Sequence, residues 1–268
     1  PLSPAEALET SMVHSVAGLL DEGGINPTRP FREPHHTASV AAIAGGGRHA
    51  KPGEMSLAHN GVLFLDELPE FPRNVLETLR QPVETGEVMI ARANAHIKYP
   101  CRFMLVAAAN PCKCGYLPDP ERACARAPLC GEDYMGRVSG PLLDRFDIRL
   151  EVPAVSFHDL DAPSQGDSSE TIAQRVTKAR HLQAQRYDEH DGIYTNADTF
   201  GDVLEKHLRM SDAAKSLLSN AADRFKLSAR AYHRVMRVAR TIADLDSSDI
   251  IDTPHIAEAL SYRITTMA

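Results

Sequence analysis

The stretch Gly61-Val62-Leu63-Phe64-Leu65-Asp66-Glu67 decides the fold that we expect for this chain. A short, continuous apolar run is typical of a parallel strand that is buried on both faces. Two adjacent carboxylates follow it, and ligands bind at the carboxyl edge of such a sheet. In nucleotide hydrolysis one carboxylate holds Mg²⁺, and the next orients or deprotonates the attacking water. We therefore predict that Asp66 holds magnesium and that Glu67 acts on water. The alternative is a strand that runs into a helix start, where acidic residues are also common.

A second apolar strand also ends in a polar residue. Residues 103–109 predict a buried strand, which Asn110 and Pro111 follow. Beside the acidic pair, Asn110 would help to hold the attacking water. The alternative is that Asn110 only forms a turn before Pro111. A third strand is predicted at residues 147–152. Buried strands separated by helices, such as the one that Pro72 opens, favour a parallel α/β sheet.

The other segments divide into a mixed first part and a helical second part. Start signals at Ser3, Pro4 and Glu6 predict a helix that runs to about residue 20 and ends at Gly23-Gly24. Loops with a short hairpin are expected over residues 24–53. A longer hairpin is expected over residues 87–92 and 96–99, and a linker over 158–169. Helices are expected over 169–188, over 211–225 with Ser211 as N-cap, over 228–245 with Ser228 as N-cap, and over 254–264. This pattern indicates an α/β domain followed by a small all-α domain.

Composition and charge exclude several classes of protein. The chain has 268 residues, of which 43% are apolar, and a net charge of −7. No apolar run approaches the roughly 20 residues that span a bilayer, and no stretch resembles a signal peptide, so we expect neither membrane insertion nor secretion. An acidic chain needs a local basic patch to contact nucleic acid. Because the chain starts at Pro1 without an initiator Met, we expect it to be a piece of a longer protein.

Residues 29–51 are locally basic within this acidic chain. They form the candidate phosphate-contacting surface, and a solvated loop is an equal alternative. Metal binding by two adjacent histidines is disfavoured, because neighbouring side chains rarely converge on one ion. The basic side chains of this segment are Arg29, Arg32, His35, His36, Arg48 and Lys51.

Four of the five cysteines lie close together in the sequence and form a candidate metal site. Cys112, Cys114, Cys124 and Cys130 supply enough thiolates to enclose a tetrahedral Zn²⁺, which would be structural because no ligand position stays open. In a chain without a signal peptide, the pattern fits a metal site in a reducing compartment better than disulfides. Four free thiols on a long loop are the alternative.

The segment Ser139-Gly140-Pro141-Leu142-Leu143-Asp144-Arg145-Phe146-Asp147 predicts a turn and a short helix. Arg145 is a candidate arginine finger, which would stabilise charge on the γ-phosphate of a nucleotide bound by a neighbouring subunit. A local pair between Asp and Arg is the alternative and is the commoner arrangement.

Taken together, these segments resemble the ComM/YifB branch of the magnesium-chelatase-like AAA+ ATPases. The resemblance covers residues 1–268 almost continuously and is specific in combination. Residues 61–71 resemble the Walker B segment of this family, and residues 228–245 resemble its lid helix. The other similar segments are Arg-Pro-Phe-Arg-Glu-Pro-His-His-Thr-Ala-Ser (29–39), Lys-Pro-Gly-Glu-Met-Ser-Leu-Ala-His-Asn-Gly (51–61), Ala-Asn-Pro-Cys-Lys-Cys-Gly-Tyr (109–116) and residues 139–147.

The resemblance implies an AAA+ P-loop NTPase fold, in which a parallel sheet carries helices on both faces and β-hairpin insertions. This domain would span residues 1–157, with a Cys-rich insertion at 111–131. After the linker, a helical lid would span residues 170–268.

The resemblance also implies roles for individual residues. Asp66 and Glu67 would be the Walker B pair, Asn110 would be sensor 1, and Arg145 would be the arginine finger. Sensor 2 would be Arg230, with Arg234 as the alternative one helical turn later. The hairpin around Asn94, Ala95 and His96 would be the pre-sensor-1 insertion, which points into the pore of related ring helicases and would contact DNA.

One departure from the family pattern concerns the phosphate-binding loop. The chain contains no Gly-x-x-x-x-Gly-Lys-Ser/Thr sequence, and Gly45-Gly46-Gly47-Arg48 does not fit it. In the family this Walker A loop lies just before the position that corresponds to Pro1. Because its amides and Lys hold the β- and γ-phosphates, we expect the chain by itself to hydrolyse ATP poorly.

The resemblance implies an ATP-driven ring motor, expected to be a homohexamer, that uses ATP and Mg²⁺. Its partner would be single-stranded or branched DNA, and it would act as a helicase or in branch migration during recombination of DNA imported by natural transformation. The alternative is the ATPase subunit of a magnesium-chelatase-type complex that inserts metal into a porphyrin. A third possibility is a regulatory or scaffolding module without catalysis. A cytoplasmic location without membrane contact is expected.

Overall fold

The computed structural model describes residues 1–20, 24–47, 49–92, 95–117, 119, 121–153, 155 and 166–264. The chain divides between Phe146 and Asp147 into two compact units. This division lies before the domain boundary predicted at residue 157. Most of the predicted linker lies outside the described residues.

The first unit is a mixed α/β structure. Its elements in chain order are α1 (Pro4–Ala17), β1 (Phe31–Arg32), α2 (Val40–Ala44), β2 (Gly45–Gly46), β3 (Lys51–Pro52), α3 (Glu54–Leu57), β4 (Val62–Leu65), a 3₁₀ turn (Leu68–Glu70), α4 (Arg73–Leu79), α5 (Pro82–Thr85), β5 (Glu87–Arg92), β6 (Ala95–Pro100), β7 (Met104–Ala107), α6 (Leu129–Met135) and α7 (Gly140–Leu143).

Strand β4 lies at the centre of a parallel sheet in the order β1-β4-β7. Phe31 pairs with Val62 on one side of it, and Ala107 pairs with Leu65 on the other. Leu65 is 1% exposed, as the apolar run predicts for a central strand. The predicted AAA+-type α/β sheet is confirmed, and helices α2, α4 and α7 contribute apolar side chains to the same core.

Strand β7 is less buried than its sequence predicts. Met104 is 61% exposed, and among the described residues β7 pairs with β4 on one side only. An apolar run alone does not reveal whether a strand lies at the centre or at the edge of a sheet.

Gly61 precedes β4 at a close approach between two segments of backbone. A Cβ atom at this position would lie 2.0 Å from the carbonyl oxygen of Pro30. The same oxygen accepts a hydrogen bond of 2.8 Å from the amide of Val62. Only glycine leaves room for this approach, so the start of β4 depends on residue 61.

One predicted helix boundary and one predicted strand are wrong. Helix α1 ends at Ala17 rather than near residue 20, because Gly18 adopts φ 80° and caps the helix by donating to the carbonyls of His14 and Ser15. Residues 147–152 form no strand: the amide of Arg149 donates instead to the carbonyl of Tyr262 at 2.9 Å. Their apolar members are exposed, Val152 by 88%. The predicted hairpin of β5 and β6 is confirmed.

The second unit is helical, as predicted. Its described elements are α8 (Ser169–Arg186), a 3₁₀ turn (Asn196–Asp198), α9 (Gly201–His207), α10 (Asp212–Phe225), α11 (Ala229–Leu245) and α12 (Thr253–Ile264). The predicted N-caps Ser211 and Ser228 are confirmed, since each side chain accepts from a backbone amide of the first turn. Helix α9 was not predicted. None of the described helices is both long and apolar enough to cross a bilayer.

A buried ion network holds α8 against α11 within this unit. The carboxylate of Asp244 is fully buried and accepts from Arg186 at 2.5 Å and from Arg240 at 3.1 Å. The amide of Asn196 adds a hydrogen bond of 2.8 Å. Although burial opposes its ionisation, these donors hold the pKa of Asp244 below its usual value.

Candidate active site

The two carboxylates after β4 lie on a turn whose backbone is fixed on several sides. Glu67 adopts φ 52° and ψ 46°, a left-handed conformation that costs a non-glycine residue about 1–2 kcal/mol. Its amide donates to the carboxylate of Asp66 at 2.9 Å. Leu68 donates to the carbonyl of Ala108 at 2.9 Å, which joins the turn to the end of β7. The turn therefore holds both carboxylates at the carboxyl end of the sheet.

The oxygen donors at this edge suit Mg²⁺. Asp66 is exposed, and no salt bridge to another described residue neutralises it. Asn110 follows β7 at the same edge and is also exposed. Carboxylate, amide and water oxygens are the ligands that Mg²⁺ takes in proteins, usually with only one or two carboxylates. Asp66 is therefore the residue of this turn best placed to hold the ion, directly or through water.

Glu67 has a partner that the sequence did not predict. Nδ1 of His36 lies 3.1 Å from Oε2 of Glu67. The backbone explains the proximity: β1 and β4 are parallel neighbours, so the loop that follows β1 leaves the sheet at the same edge as the acidic turn. His36 thus belongs to the candidate active site rather than to a solvated loop.

Three further residues support the acidic turn, and sequence reasoning missed all of them. Tyr134 of α6 is 5% exposed. Burial first, and then the neighbouring Glu70 carboxylate with which it shares a hydrogen bond, raise the pKa of Tyr134. Arg137 forms a salt bridge of 3.2 Å with Glu70 and donates to the carbonyl of Pro69 at 3.4 Å. A possible signal was the position of Glu70, one helical turn after Glu67.

The four clustered cysteines gather in space. The Sγ atoms of Cys112 and Cys114 lie 3.1 Å apart. Cys124 shares hydrogen bonds with the thiols of Cys114 and Cys130, and Cys130 also shares one with Cys112. The bond to Cys124 is the largest influence that raises the pKa of Cys130 to about 11. The loop therefore brings together all four thiols that the sequence singled out.

The thiols of Cys112 and Cys114 lie closer together than two sulfur ligands of one metal do. In a tetrahedral site with Zn–S bonds of about 2.3 Å, the sulfurs are about 3.8 Å apart. Consistent with this, the described part of the chain contains no group of three or more His, Cys, Asp or Glu residues in a metal-binding arrangement. The cluster has the composition of a zinc site, whereas the spacing of Cys112 and Cys114 is that of a hydrogen-bonded pair of thiols.

The Cys-rich insertion reaches the acidic turn through α6. Cys130 is the second residue of this helix, and a Cβ atom at Gly131 would lie 3.0 Å from the carbonyl oxygen of Pro111. Tyr134, one turn further along, contacts Glu70. The helix therefore connects the cysteine loop with the residues beside Glu67.

Arg145 is held within its own chain. It donates to the carboxylate of Glu84 at 2.5 Å and to the carbonyl of Pro141 at 2.6 Å, and its side chain is 8% exposed. The local partner is therefore Glu84 rather than the neighbouring Asp144. Before Arg145 could reach a nucleotide on another subunit, this pair would have to open.

The two candidate sensor residues of α11 differ in their surroundings. Arg230 is exposed in the first turn of the helix. Arg234 donates to the carboxylate of Asp147 at 2.6 Å, and its side chain is 11% exposed. The more accessible of the two is thus Arg230, which the sequence favoured.

The predicted phosphate-contacting surface is less basic than its composition indicates. Arg29 pairs with Glu6 at 3.1 Å, and Arg32 forms a bidentate pair with Glu54 at 2.6 and 2.8 Å. His35 is exposed and bonded to Thr37, whereas Lys51 and His96 are exposed on β3 and β6. Arg48 and Asn94 lie outside the described residues. The charge of both described arginines is therefore neutralised within the chain.

Comparison with known proteins shows the family of this chain. A family model for the magnesium chelatase subunit ChlI matches residues 1–160, and a model for its C-terminal region matches residues 166–263. The chain belongs to the magnesium-chelatase-like ComM/YifB family. The resemblance inferred from the motifs is confirmed, and so is the AAA+ fold that it implies.

Relatives within the family differ in how much of the chain they match. Competence protein ComM of Haemophilus influenzae is 43% identical over 267 residues, which cover 98% of this chain and 50% of that protein. The uncharacterized protein YifB of Escherichia coli is also 43% identical, over 98% of this chain and 51% of its own length. The magnesium-chelatase 38 kDa subunit of Acidiphilium rubrum is 27% identical over 45% of this chain and 28% of its own length. The chain spans about half the length of the first two relatives.

Proposed function

We propose that the full-length protein is an ATP-driven ring motor that acts on DNA. The observation that carries the proposal is the position of Asp66 and Glu67 at the end of the central strand β4, with Asn110 following the neighbouring strand β7. This is the arrangement that metal-dependent hydrolysis of a nucleotide needs, because a metal ligand, a base and a water-holding amide share one edge of the sheet.

Each residue of this edge has a separate role in the proposed reaction. Mg²⁺ held by Asp66 would neutralise charge on the phosphates of ATP. Glu67 accepts the proton of the attacking water, while Asn110 holds that water in place. Arg145 acts on the nucleotide of a neighbouring subunit, and Arg230, with Arg234 as the alternative, acts from the helical unit. A residue that acts between subunits requires an oligomer, and we propose a homohexameric ring.

DNA is the proposed partner of the ring. Support comes from the match over 98% of the chain to a protein named for competence, and from the exposed hairpin side chain of His96 together with Lys51. The proposed substrate is single-stranded or branched DNA that is imported into the cytoplasm and recombined there. Arg29 and Arg32 do not support DNA binding, because carboxylates of the same chain neutralise their charges.

A structural Zn²⁺ in the Cys-rich insertion is a further part of the proposal. Cys112 and Cys114 lie 3.1 Å apart, and the other two thiols interact with them, so a local rearrangement would let the four surround one ion. Metal binding would lower their pKa values by favouring the thiolates. Bound zinc would stabilise the structure of the loop and would take no part in catalysis. Cys112, Cys114, Cys124 and Cys130 are the proposed ligands.

A second candidate function is that of the ATPase subunit in a metal-insertion complex. The family models are named for a magnesium chelatase subunit, and two relatives named as magnesium-chelatase 38 kDa subunits match the chain at 27% and 26% identity. These matches cover less than half of the chain, so we rank this function behind the DNA motor.

Turnover of ATP by the full-length protein, with and without single-stranded DNA, tests the proposal. We expect DNA to raise kcat. Glu67→Gln is the background control, because it removes the base and should abolish both rates. If no form of DNA changes the rate of ATP turnover but porphyrin-binding chelatase subunits do, the metal-insertion function replaces the DNA motor. If no ATP is hydrolysed under any of these conditions, the motor proposal is wrong.

A further inference from the structure

Two histidines of the second unit lie with their ring nitrogens in contact. His190 lies in the turn that follows α8, and His207 is the last residue of α9. Their Nε2 atoms are 3.1 Å apart. A hydrogen bond between two ring nitrogens needs one that carries a hydrogen and one that does not, so at least one of the two rings is neutral. The fold thus brings together two imidazoles from different elements.

The spacing of these two nitrogens suits two ligands of one metal ion. In a tetrahedral zinc site the Zn–N bonds are about 2.0–2.1 Å long, which places two ligand nitrogens about 3.3–3.4 Å apart. The nitrogens of His190 and His207 already lie close to that separation. Because the ion would lie beside the line that joins them, each ring has to turn slightly, while the backbone can stay in place.

A buried tyrosine holds both histidines in position. The ring of Tyr187 meets the ring of His207 edge to face, with centroids 5.4 Å apart. The carbonyl of Tyr187 accepts from the amide of His190 at 2.8 Å. Tyr187 itself is 3% exposed, and its hydroxyl donates to the side chain of Asn196 at 2.8 Å. The two imidazoles are therefore placed before any ion binds, which lowers the entropy lost on binding.

The charge of the surrounding segment favours a cation. Residues 187–207 contain six acidic residues and a single basic one, Lys206, and an excess of one sign of charge raises the local concentration of the opposite ion. Just outside this segment, Arg209 is exposed, whereas the charge of Arg186 is neutralised by Asp244 at 2.5 Å. Both histidines are half-buried, so solvent ions can reach them. The acidic residues are Asp188, Glu189, Asp191, Asp198, Asp202 and Glu205.

We propose that His190 and His207 bind a divalent transition-metal ion such as Zn²⁺, and that the ion cross-links the turn after α8 to the end of α9. Imidazole nitrogen suits Zn²⁺, Cu²⁺ and Ni²⁺, whereas Mg²⁺ takes oxygen ligands and is not expected here. Water completes the coordination, since the described residues place no third metal-binding side chain beside the pair. The inference goes beyond the proposed function and depends neither on ATP hydrolysis nor on zinc in the Cys-rich insertion.

Titration of the full-length protein with Zn²⁺, followed by calorimetry and by hydrogen exchange, tests the site. The wild type should bind one ion more per chain than His190→Gln or His207→Gln. Glutamine can keep a hydrogen bond to the remaining imidazole, but it lacks the ring nitrogen that binds the metal. At a free Zn²⁺ concentration of about ten times the dissociation constant, exchange of residues 201–207 should slow by about tenfold in the wild type, because the ion binds only the folded form.

Further variants separate a shared ion from general damage. The double variant His190→Gln/His207→Gln should lose no more zinc than either single variant, because both residues bind the same ion. His181→Gln removes an exposed histidine of α8 and should bind zinc as the wild type does. If a variant is less stable without metal, its exchange with and without Zn²⁺ still decides. Equal zinc binding by wild type and His207→Gln, or an extra ion that leaves the exchange of residues 201–207 unchanged, overturns the inference.

Discussion

The guanidinium of Arg145 donates to the carboxylate of Glu84 at 2.5 Å, which ties the end of α7 to α5. An arginine in such a pair keeps its charge and gains a fixed orientation. If it serves a neighbouring nucleotide, the pair with Glu84 is the resting state of the residue, and assembly of the ring must provide a better acceptor.

Arg145→Ala should lower the kcat of the assembled full-length protein by about 10³-fold or more, the range that an arginine finger contributes. Mixed rings of Arg145→Ala and Glu67→Gln subunits should regain part of the activity, because some interfaces pair an intact Arg with an intact Glu. Arg175→Ala, at an exposed salt bridge of α8, is the control. Wild-type turnover in rings that contain only Arg145→Ala would rule out this role.

Glu67→Gln should lower ATP turnover by about 10²- to 10⁴-fold, since the amide keeps the shape of the side chain but cannot accept a proton. Binding of ATP, measured by equilibrium titration, should stay largely intact. Glu132→Gln, at an exposed position of α6, is a matched control with the same chemical change. A Glu67→Gln protein that turns over normally would contradict the Walker B assignment.

Zinc should be present at about one ion per chain, bound to four sulfurs at about 2.3 Å, as elemental analysis and X-ray absorption can measure. Removing one ligand, as in Cys124→Ala, should release the metal and loosen residues 112–135 first, because the proposed zinc would order that loop.

Cys101→Ala is the control for the metal site. Cys101 is 1% exposed, and burial raises its pKa to about 12, so it is an inert thiol. The variant should keep its zinc. Native protein without metal, in which Cys112, Cys114, Cys124 and Cys130 titrate freely, would show that the cluster is not a zinc site.

Asp244→Ala should destabilise the second unit by about 3–5 kcal/mol, because it leaves the buried Arg240 and its neighbour Arg186 without their shared carboxylate. Asp246→Ala removes a carboxylate that is 62% exposed and paired with His255, and should cost about 1 kcal/mol or less. Hydrogen exchange of residues 229–245 reports both effects. Equal protection in the two variants would contradict the prediction.

His59 should make the first unit sensitive to acid. Its side chain is 1% exposed; its Nδ1 accepts from the amide of Arg102 at 3.1 Å, and its Nε2 therefore donates to Glu9. Burial lowers its pKa, although Glu9 opposes the shift. Below a pH of about 6.5 the unfolded chain takes up a proton that the folded chain resists, so stability falls by at most about 1.4 kcal/mol per pH unit until the folded pKa is reached.

His59→Gln should remove that part of the pH dependence while His181→Gln, at an exposed position, should leave it unchanged. Urea unfolding at several pH values between 7.5 and 5 measures the difference. An acid response of the same size in wild type and His59→Gln would assign the effect to another group, such as Glu9, whose pKa is lowered as well.

Features that depend on local chemistry were predictable from the sequence. The apolar run before Asp66 predicted β4, and Ser211 and Ser228 marked the starts of α10 and α11, because a strand core and a helix cap each need only neighbouring residues. The strand predicted at residues 147–152 failed for the opposite reason. There the amide of Arg149 donates to the carbonyl of Tyr262, which lies far away in the sequence.

The same distinction applies to the candidate site. Asp66, with Glu67 next to it, and Asn110 were identified because the acidic pair and the asparagine each directly follow an apolar run. The contacts of His36 with Glu67 and of Arg145 with Glu84 join segments that are distant in the sequence, and no spacing rule predicts them. Composition likewise overstated the positive charge near Arg32, because the compensating carboxylate of Glu54 lies on another element.

The close approach at Gly61 has a consequence for how variants of this chain should be interpreted. Every other amino acid carries a Cβ atom, which would meet the carbonyl oxygen of Pro30 at 2.0 Å. In a saturation library we would therefore expect residue 61 to accept no replacement, although it bears no functional group. Such intolerance would resemble that of a catalytic position, and only its cause, the space between two backbones, would distinguish it.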